Sequence, residues 1–250
     1  MPWIRSYDSG YSPPGGHLLS DQSPVRVEDF TDGYRTILLN RPQTRNAIDT
    51  ATVAALTEGI VTAPGWVVVL GSTSPAAFSS GADVKLGDTE RAAVSESLYA
   101  LYQEMRSTPR IIIAAASGHA VGGGAQMLIS SDLRFGSPDL TIRFMGPGHG
   151  LAVGAWGLPS LVGRGRAMDL CLSMRTVSAD EALAIGLIDR LVEDPIGDAK
   201  AYAEMVCALD KAAVAAIKRI VLTTAVDDAL ALERSHNANW SGSIPARDRP

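Results

Sequence analysis

Two glycine-containing loops are the stretches of this sequence best suited to hold a reacting group. The first, residues 78–85 (FSSGADVK), is rich in small residues and follows an apolar run. The second is the triple glycine 122–124, which leads into the largely apolar residues 125–129 (AQMLI). Glycine lets the backbone approach a ligand closely, and a helix N-terminus presents free N–H groups at the positive end of its dipole. Two backbone donors from different loops, aimed at one oxygen, would form an oxyanion hole.

The elements that must position these loops follow an alternating α/β pattern. Residues 34–39 predict a strand, and the nearly all-apolar runs at 66–70 and 110–116 predict strands covered on both faces. Asp49 or Thr50 can cap the helix that follows the first strand. Apolar residues at helical spacing predict the helices. The further predicted elements are helices over residues 89–105, 198–209 and 212–233, a helix after the triple glycine, a capped helix from Ser178, and strands at residues 133–135 and 140–144. This alternation favours an α/β fold.

A series of short motifs runs in order through about residues 25–220. They are NRP at 40–42, RNAI at 45–48, AFSSGADVK at 77–85, GHAVGGG at 118–124, SDLR at 131–134, LVGRGRA at 161–167 and SADEALAIGLI at 178–188. As a set, they resemble the enoyl-CoA hydratase/isomerase (crotonase) family. The resemblance implies a spiral of strand–strand–helix repeats, with C-terminal helices that assemble a homotrimer or a dimer of trimers. It also implies an acyl-CoA or enoyl-CoA thioester as the ligand.

The same resemblance implies roles for residues in both loops. The backbone N–H groups of Ala82 and Gly123 match the oxyanion hole of the family, which polarises the thioester carbonyl. The physical interpretation of the two loops leads to the same function. Coenzyme A would enter as part of the substrate, so we expect no permanently bound cofactor and no metal.

Coenzyme A binding is implied for four residues near the first loop. Arg45, with Ala47 two positions later, matches a basic residue near the phosphates, while Lys85 and the backbone around Asp83 would border the adenine. Arg45 could equally be a solvated surface residue. Asp83 is suited to a turn, where its side chain satisfies local N–H groups.

The two carboxylates of a family hydratase are missing from this sequence. The first glutamate position, three residues after the oxyanion glycine, is Gln126. The second falls on Gly146, or on Arg143 if the segment is aligned without a gap from residues 158–159. An amide has no proton affinity for general-base catalysis near neutral pH. The sequence therefore argues against standard hydration and supports the binding site.

His149 is the remaining titratable candidate in the loop of residues 146–150 (GPGHG). It could act as an acid or base near neutral pH, or it could be a loop histidine bonded to backbone or water. Three functions stay open. They are an enzyme acting on a CoA thioester by other chemistry such as isomerisation, a non-catalytic acyl-CoA-binding protein, and a CoA-independent C–C bond hydrolase using His149.

The composition of the chain restricts the class of protein and the kind of partner. The chain has 250 residues, a net charge of −5 and 46% hydrophobic residues, which is typical of a globular protein without general affinity for nucleic acid or anionic membranes. Cys171 and Cys207 lie in helical patterns and fit buried thiols in a reducing cytoplasm. We expect a loosely ordered leader at residues 1–24, the core at 25–195, and a helical region at 196–250 that is shorter than in the family.

Overall fold

The computed structural model describes residues 23–222 and, beyond them, residues 230, 231, 234, 235, 237, 238, 241 and 242. Almost all of the expected leader, residues 1–24, lies outside the described residues. The strands are β1 (Val25–Asp29), β2 (Tyr34–Leu39), β3 (Val67–Ser72), β4 (Ala77–Ser79), β5 (Ile111–Ala116), β6 (His119–Val121), β7 (Leu133–Gly136), β8 (Thr141–Arg143), β9 (Val177–Ser178) and β10 (Arg190–Leu191). The helices are α1 (Thr50–Val61), α2 (Asp88–Ser107), α3 (Gly123–Ser130), α4 (Leu158–Val162), α5 (Arg164–Ser173), α6 (Ala179–Ala184), α7 (Pro195–Cys207) and α8 (Lys211–Leu222).

The strands form two sheets. The larger has the order β1-β2-β3-β5-β7-β10 and is parallel except for the β1–β2 pair, while the smaller has the order β4-β6-β8-β9 with β8 and β9 antiparallel. Along the chain, a strand of the large sheet is followed by a strand of the small sheet and then by a helix: β3, β4 and α2, then β5, β6 and α3. This repeat is the expected spiral of strand–strand–helix turns, and the α/β fold class is confirmed.

The central strands β2, β3 and β5 of the large sheet are buried on both faces, as their continuous apolar sequences require. In β3, Val68 and Leu70 belong to the main core with α1, α2 and α3, while Val67 and Val69 face the other way into a second core. Helix α7 closes that second face through Ala199, Ala203 and Val206, whose small side chains let it pack closely. Alternate side chains of β3 therefore pack into the two cores on opposite faces of the sheet.

Most of the predicted elements are present, with bounds that differ by a few residues. Asp49 is the cap of α1, accepting a hydrogen bond from Thr52 N at 2.8 Å, and Ser178 caps α6 by accepting from Glu181 N at 3.3 Å. The short strands β1, β4, β6, β9 and β10 and helices α4 and α5 were not predicted. Within the described residues, no helix combines the length and apolar character needed to cross a membrane.

Candidate functional site

The first small-residue loop is held beside the segment before α1. Ile48 N–H donates to Gly81 O at 2.8 Å, and Asp83 N–H donates to Ile48 O at 2.9 Å, so Ile48 and Ala82 form a parallel bridge. In such a bridge, the residue between the two bonded neighbours directs its own N–H group away from the partner strand. Ala82 N–H is therefore left available on the side opposite Ile48.

The side chain of Asn46 holds the segment that contains Ile48 in place. It is fully buried at φ 53°, and its Nδ2 lies 2.7 Å from Ser72 Oγ, 3.0 Å from Ala77 O and 3.1 Å from Phe78 O. Asparagine tolerates the left-handed conformation better than most residues. Its side chain thus ties the RNAI segment to the end of β3 and to β4.

The two loops touch at Gly81. This residue has φ +89°, and a Cβ built on it would lie 2.8 Å from Val121 O and 3.3 Å from Gly123 N. Both the conformation and the close approach therefore require glycine. As a result, the backbone of the first loop lies directly against the turn that leads into α3.

Gly123 is the first residue of α3, so its N–H group has no acceptor within the helix. Tyr102 of α2 donates from its hydroxyl to Gly123 O at 3.0 Å and steadies this peptide. Among the described residues, neither Ala82 N–H nor Gly123 N–H donates to a backbone carbonyl. The start of α3 also contributes the positive end of its dipole.

Both free N–H groups belong to residues that line one cavity of about 340 Å³. That volume suits a small ligand or part of a larger one. Its lining residues are Ser80, Gly81, Ala82, Val84, Arg91, Ser95, Leu98, Tyr99, Val121, Gly122, Gly123, Gln126, Met145, His149, Leu151 and Val153. No aspartate or glutamate occurs among these described lining residues.

Gln126 is in the wall of this cavity, 5% exposed, one helical turn after Gly123. Its Oε1 accepts hydrogen bonds from Gly154 N–H at 3.1 Å and from Trp156 Nε1–H at 3.0 Å. Trp156 is itself buried, stacked on Tyr102 and covered by the Arg106 guanidinium. At the position where the resemblance led us to expect the carboxylate of a hydratase, an amide is held in one orientation.

Gly146, the expected place of the second glutamate, does not line the cavity among the described residues; its neighbour Met145 does. A Cβ on Gly146 would lie 2.8 Å from Leu151 O and 2.9 Å from Val153 N. Backbone atoms on that side therefore leave no room for a side chain. His149 also lies in the cavity wall, together with Ala82, Gly123 and Gln126.

The residues expected to contact coenzyme A lie in the paired segments just described. Arg45 and Lys85 are exposed, and Ser80 N–H donates to Arg45 O at 3.0 Å, which brings Arg45 next to the cavity wall. Ala47 is buried. The Asp83 carboxylate accepts from Lys85 N–H at 3.0 Å, so its side chain serves the turn, as the alternative interpretation predicts.

Arg41 was not singled out from the sequence, yet it links both segments. Its Nη2 lies 3.0 Å from Asp49 Oδ2 and 3.6 Å from Asp83 Oδ2. Burial alone would raise the pKa of Asp49, but hydrogen bonds from Thr52 and the charge of Arg41 outweigh burial and lower that pKa. The carboxylate therefore stays charged as the cap of α1.

A model of the family described as enoyl-CoA hydratase/isomerase matches residues 29–248, which is most of the chain. The chain belongs to the enoyl-CoA hydratase/isomerase family. The "Probable enoyl-CoA hydratase echA6" of Mycobacterium tuberculosis is 34% identical over 193 residues, covering 74% of this chain and 77% of that protein. The "Probable enoyl-CoA hydratase echA8" of Mycobacterium leprae is 31% identical over 209 residues, covering 77% and 80%.

Solved structures give the same fold. An enoyl-CoA hydratase from Thermoplasma volcanium superposes with a TM-score of 0.75 at 28% identity, over 87% of this chain and 93% of the other. An enoyl-CoA hydratase from Bacillus halodurans has a TM-score of 0.78 at 22% identity, over 88% and 94%. Solved structures at 28% and at 22% identity therefore both show that the chain has the crotonase fold.

The C-terminal region of this enoyl-CoA hydratase/isomerase family member reaches the site despite its expected shortness. Asn237 is buried and helical; its Nδ2 donates to Tyr99 Oη at 2.6 Å and to Ala152 O at 2.9 Å. Gly242 O accepts from Arg91 Nε at 2.7 Å. Tyr99 and Arg91 both line the cavity, so the described part of the C-terminal region supports its wall.

Proposed function

We propose that this protein binds the acyl thioester of an acyl-CoA or enoyl-CoA in the 340 Å³ cavity and does not hydrate it at an ordinary enzymatic rate. The thioester oxygen would accept hydrogen bonds from Ala82 N–H and Gly123 N–H. The observation that carries the proposal is the lining of the cavity, which includes both available N–H groups and, among the described residues, no carboxylate. Family membership supports the choice of ligand.

The binding half of the proposal rests on fixed donors. Ala82 N–H is positioned by the Ile48 bridge and Gly123 N–H by the start of α3. Such preorganised donors stabilise negative charge on a carbonyl oxygen without reorganising at the moment of reaction. Exposed Arg45 would meet the phosphates of coenzyme A on the side of the paired segments, and exposed Lys85 would border its adenine.

The absence of hydration follows from the groups that face the reacting carbons. Adding water to an enoyl thioester requires a base to activate the water and an acid to protonate the Cα carbon. One well-placed acid or base contributes about 10²–10⁴ in rate. Gln126 cannot act as either at neutral pH, and Gly146 carries no side chain.

A second candidate is proton transfer by His149, which would make the protein an isomerase-like enzyme. The observation in its favour is that His149 lines the same cavity as both proposed oxyanion donors. Enolate charge at the thioester oxygen would be stabilised there while the imidazole moves a proton at Cα. The same imidazole could serve a CoA-independent C–C bond hydrolase.

Calorimetric titration with butyryl-CoA and crotonyl-CoA, followed by the enoyl-thioester absorbance, tests these alternatives. We expect saturable binding of both and loss of absorbance far below the roughly 1–10³ per second of ordinary enzymes. No binding would overturn the proposal. Rapid turnover that disappears in His149→Ala would favour the second candidate, and cleavage of a β-diketone without coenzyme A would favour the hydrolase.

A further inference from the structure

We propose that the site prefers acyl groups that end in a carboxylate, as in the CoA thioesters of dicarboxylic acids, and that Arg91 recognises this carboxylate. The inference rests on the proposed function, because it assumes that the thioester carbonyl is bound by Ala82 N–H and Gly123 N–H. It concerns the charge that the cavity wall presents to the far end of the acyl chain.

Arg91 brings a full positive charge to the wall of the cavity. It lies in the first turn of α2, its side chain is 5% exposed, and it is one of the residues that line the cavity. Apart from His149, which can titrate, the other described lining residues are uncharged. A buried charge without an opposite charge is unfavourable, so this wall favours an anionic group beside Arg91.

The protein itself neutralises this charge only in part. Arg91 Nε donates to Gly242 O at 2.7 Å. Its Nη1 donates to Val84 O at 3.2 Å and to Leu86 O. These three acceptors are backbone carbonyls without net charge. The carboxylate among its described partners is that of Asp88, which is 53% exposed, and water therefore screens its attraction for the guanidinium.

The guanidinium also has the geometry to bind a second carboxylate. Its N–H groups form a planar fork that matches the two oxygens of a carboxylate. Nη2 carries two N–H groups, and Asp88 Oδ1 is its acceptor among the described residues. A ligand carboxylate would accept from the same nitrogen or take the place of Asp88.

The distance from the oxyanion donors fits a short acyl chain. Arg91 Nη1 lies 3.2 Å from Val84 O, and Val84 is two residues beyond Ala82, a span of at most about 7 Å. On α2, Leu98 Cδ1 lies 2.9 Å from where a Cβ on Gly123 would be, and Arg91 precedes Leu98 by about 10 Å of helix. Both measures give a separation on the order of 10 Å, which a chain of about four to six carbons can bridge with a hydrogen bond at each end.

The main competing explanation is that Arg91 only fastens the C-terminal region to the start of α2 through Gly242. Both roles predict that replacing Arg91 destabilises the fold. Only the recognition role predicts that the wild-type protein discriminates between thioesters whose acyl chains differ in terminal charge. A ratio of dissociation constants for such ligands therefore separates the two roles.

The first experiment is a calorimetric titration of the wild-type protein with three pairs of thioesters of equal chain length. The pairs are succinyl-CoA with butyryl-CoA, glutaryl-CoA with valeryl-CoA, and adipyl-CoA with hexanoyl-CoA. A hydrogen bond to a charged group predicts that at least one dicarboxylic thioester binds about tenfold to hundredfold more tightly than its uncharged partner. The methyl ester of that favoured thioester keeps both oxygens and loses the charge, so its affinity should fall to about that of the uncharged partner.

Asp88→Asn sharpens the test because it removes the protein carboxylate that shares the guanidinium. The preference for the dicarboxylic thioester should then rise by about twofold to fivefold, the usual strength of a partly exposed ion pair. Glu90→Gln, the same kind of change at an exposed position of the same turn, is the matched control and should keep the wild-type ratio. Arg91→Gln removes the charge and should abolish the preference.

Equal affinity of wild type for both members of every pair would overturn the inference and leave the proposed function standing. A methyl ester that binds as tightly as the acid would also overturn it, because the charge would then play no part. Failure to bind any thioester would overturn both proposals. If Arg91→Gln does not fold, Asp88→Asn decides, and an unchanged or smaller preference in that variant would count against the inference.

Discussion

At position 126, glutamine and glutamate differ by one terminal atom, and the surroundings determine what that difference does. Gly154 and Trp156 direct two N–H groups at the same oxygen, which an amide or a carboxylate could accept equally well. The second terminal atom of Gln126 is then a donor, whereas the second oxygen of an ionised glutamate would be an acceptor. The bracing interaction is compatible with either residue, so the chemistry could differ without a change of fold.

Gly146 differs from Gln126 because the backbone around it excludes any side chain. We expect Gly146→Ala to lower the free energy of unfolding by about 1–3 kcal/mol, as overpacking of a filled site does. The added Cβ would lie 2.8 Å from Leu151 O, and this carbonyl is not the end of a flexible side chain. Urea denaturation followed by circular dichroism measures the change.

The control for this prediction lies two residues away. A Cβ on Gly148 would meet only the flexible Met174 side chain, at 3.5 Å, so Gly148→Ala should change the stability little. Equal unfolding midpoints for Gly146→Ala and wild type would show that the 146–153 backbone relaxes. In that case the backbone around position 146 could accommodate a side chain, including one with a carboxylate.

Some site residues could be read from the sequence and others could not. The loops of Ala82 and Gly123 were found because small residues before a helix form a local pattern that needs no knowledge of packing. Trp156 and Asn237 were missed because their roles arise from contacts with Gln126 and Tyr99, which lie 30 and 138 positions away in the chain. No local pattern reports such contacts.

At the scale of the elements, apolar runs predicted β2, β3 and β5 of the large sheet because these strands are buried on both faces. The edge strands β1 and β10 were missed, since most of their residues are not buried. In the small sheet β8 was predicted, whereas β4, β6 and β9 are two or three residues long and were missed because their hydrophobic pattern is too short. Helix α8 was predicted as part of a longer helix, residues 212–233. The described part of α8 runs from Lys211 to Leu222, and residues 223–229 and 232–233 of the predicted helix lie outside the described residues.

Helix α8 also contains a buried lysine that its sequence pattern does not explain. Lys218 Nζ lies 2.8 Å from Asp132 Oδ2 and donates to Met105 O at 2.9 Å and Arg110 O at 2.7 Å. The same Asp132 oxygen accepts from Ile112 N–H at 2.8 Å. This pair therefore fastens α8 to the start of β5 and to the end of α2.

Burial opposes charge on both partners of this pair. It raises the pKa of the Asp132 carboxyl despite the neighbouring Lys218, and it lowers the pKa of Lys218 despite the neighbouring Asp132. Removing one partner should therefore be more harmful than exchanging both for apolar residues, because a lone buried charge remains.

We expect Lys218→Met to lower the free energy of unfolding at pH 7 by about 3–5 kcal/mol, the usual cost of breaking a buried pair. The loss should shrink as the pH falls. A raised pKa in the folded state favours the protonated carboxyl, so Asp132 becomes neutral in the folded variant at a higher pH than in the unfolded chain. Urea titrations from pH 7 down to pH 5 measure this trend.

Lys211→Met is the matched control, since Lys211 is exposed at the start of the same helix. It should change stability by less than about 0.5 kcal/mol at either pH. A loss in Lys218→Met that is small, or that grows as the pH falls, would contradict the assignment of Asp132 as the buried charge.

At the scale of the whole molecule, the C-terminal helices turn apolar side chains outward. On α8, Ile217, Ile220 and Val221 are 60%, 68% and 67% exposed, while the lysine of the same helix is buried. Exposed apolar patches of this kind usually mark a surface that contacts another protein. Met168 and Leu172 on α5 and Met205 on α7 are exposed as well.

We therefore predict a closed homo-oligomer, a trimer or a dimer of trimers, in which the outward face of α8 is buried between subunits. Sedimentation velocity at micromolar concentration should give a mass several times that of one chain. Introducing charge by Ile217→Lys with Ile220→Lys should dissociate it, because a buried lysine without a partner is strongly disfavoured. Ala212→Lys changes an exposed residue that lies about 140° around the helix from Ile217 and about 80° from Ile220, at about 100° per residue, and should leave the assembly intact. A monomer in the wild type would reject the prediction. An assembly that survives the double lysine variant would exclude the outward face of α8 from the interface.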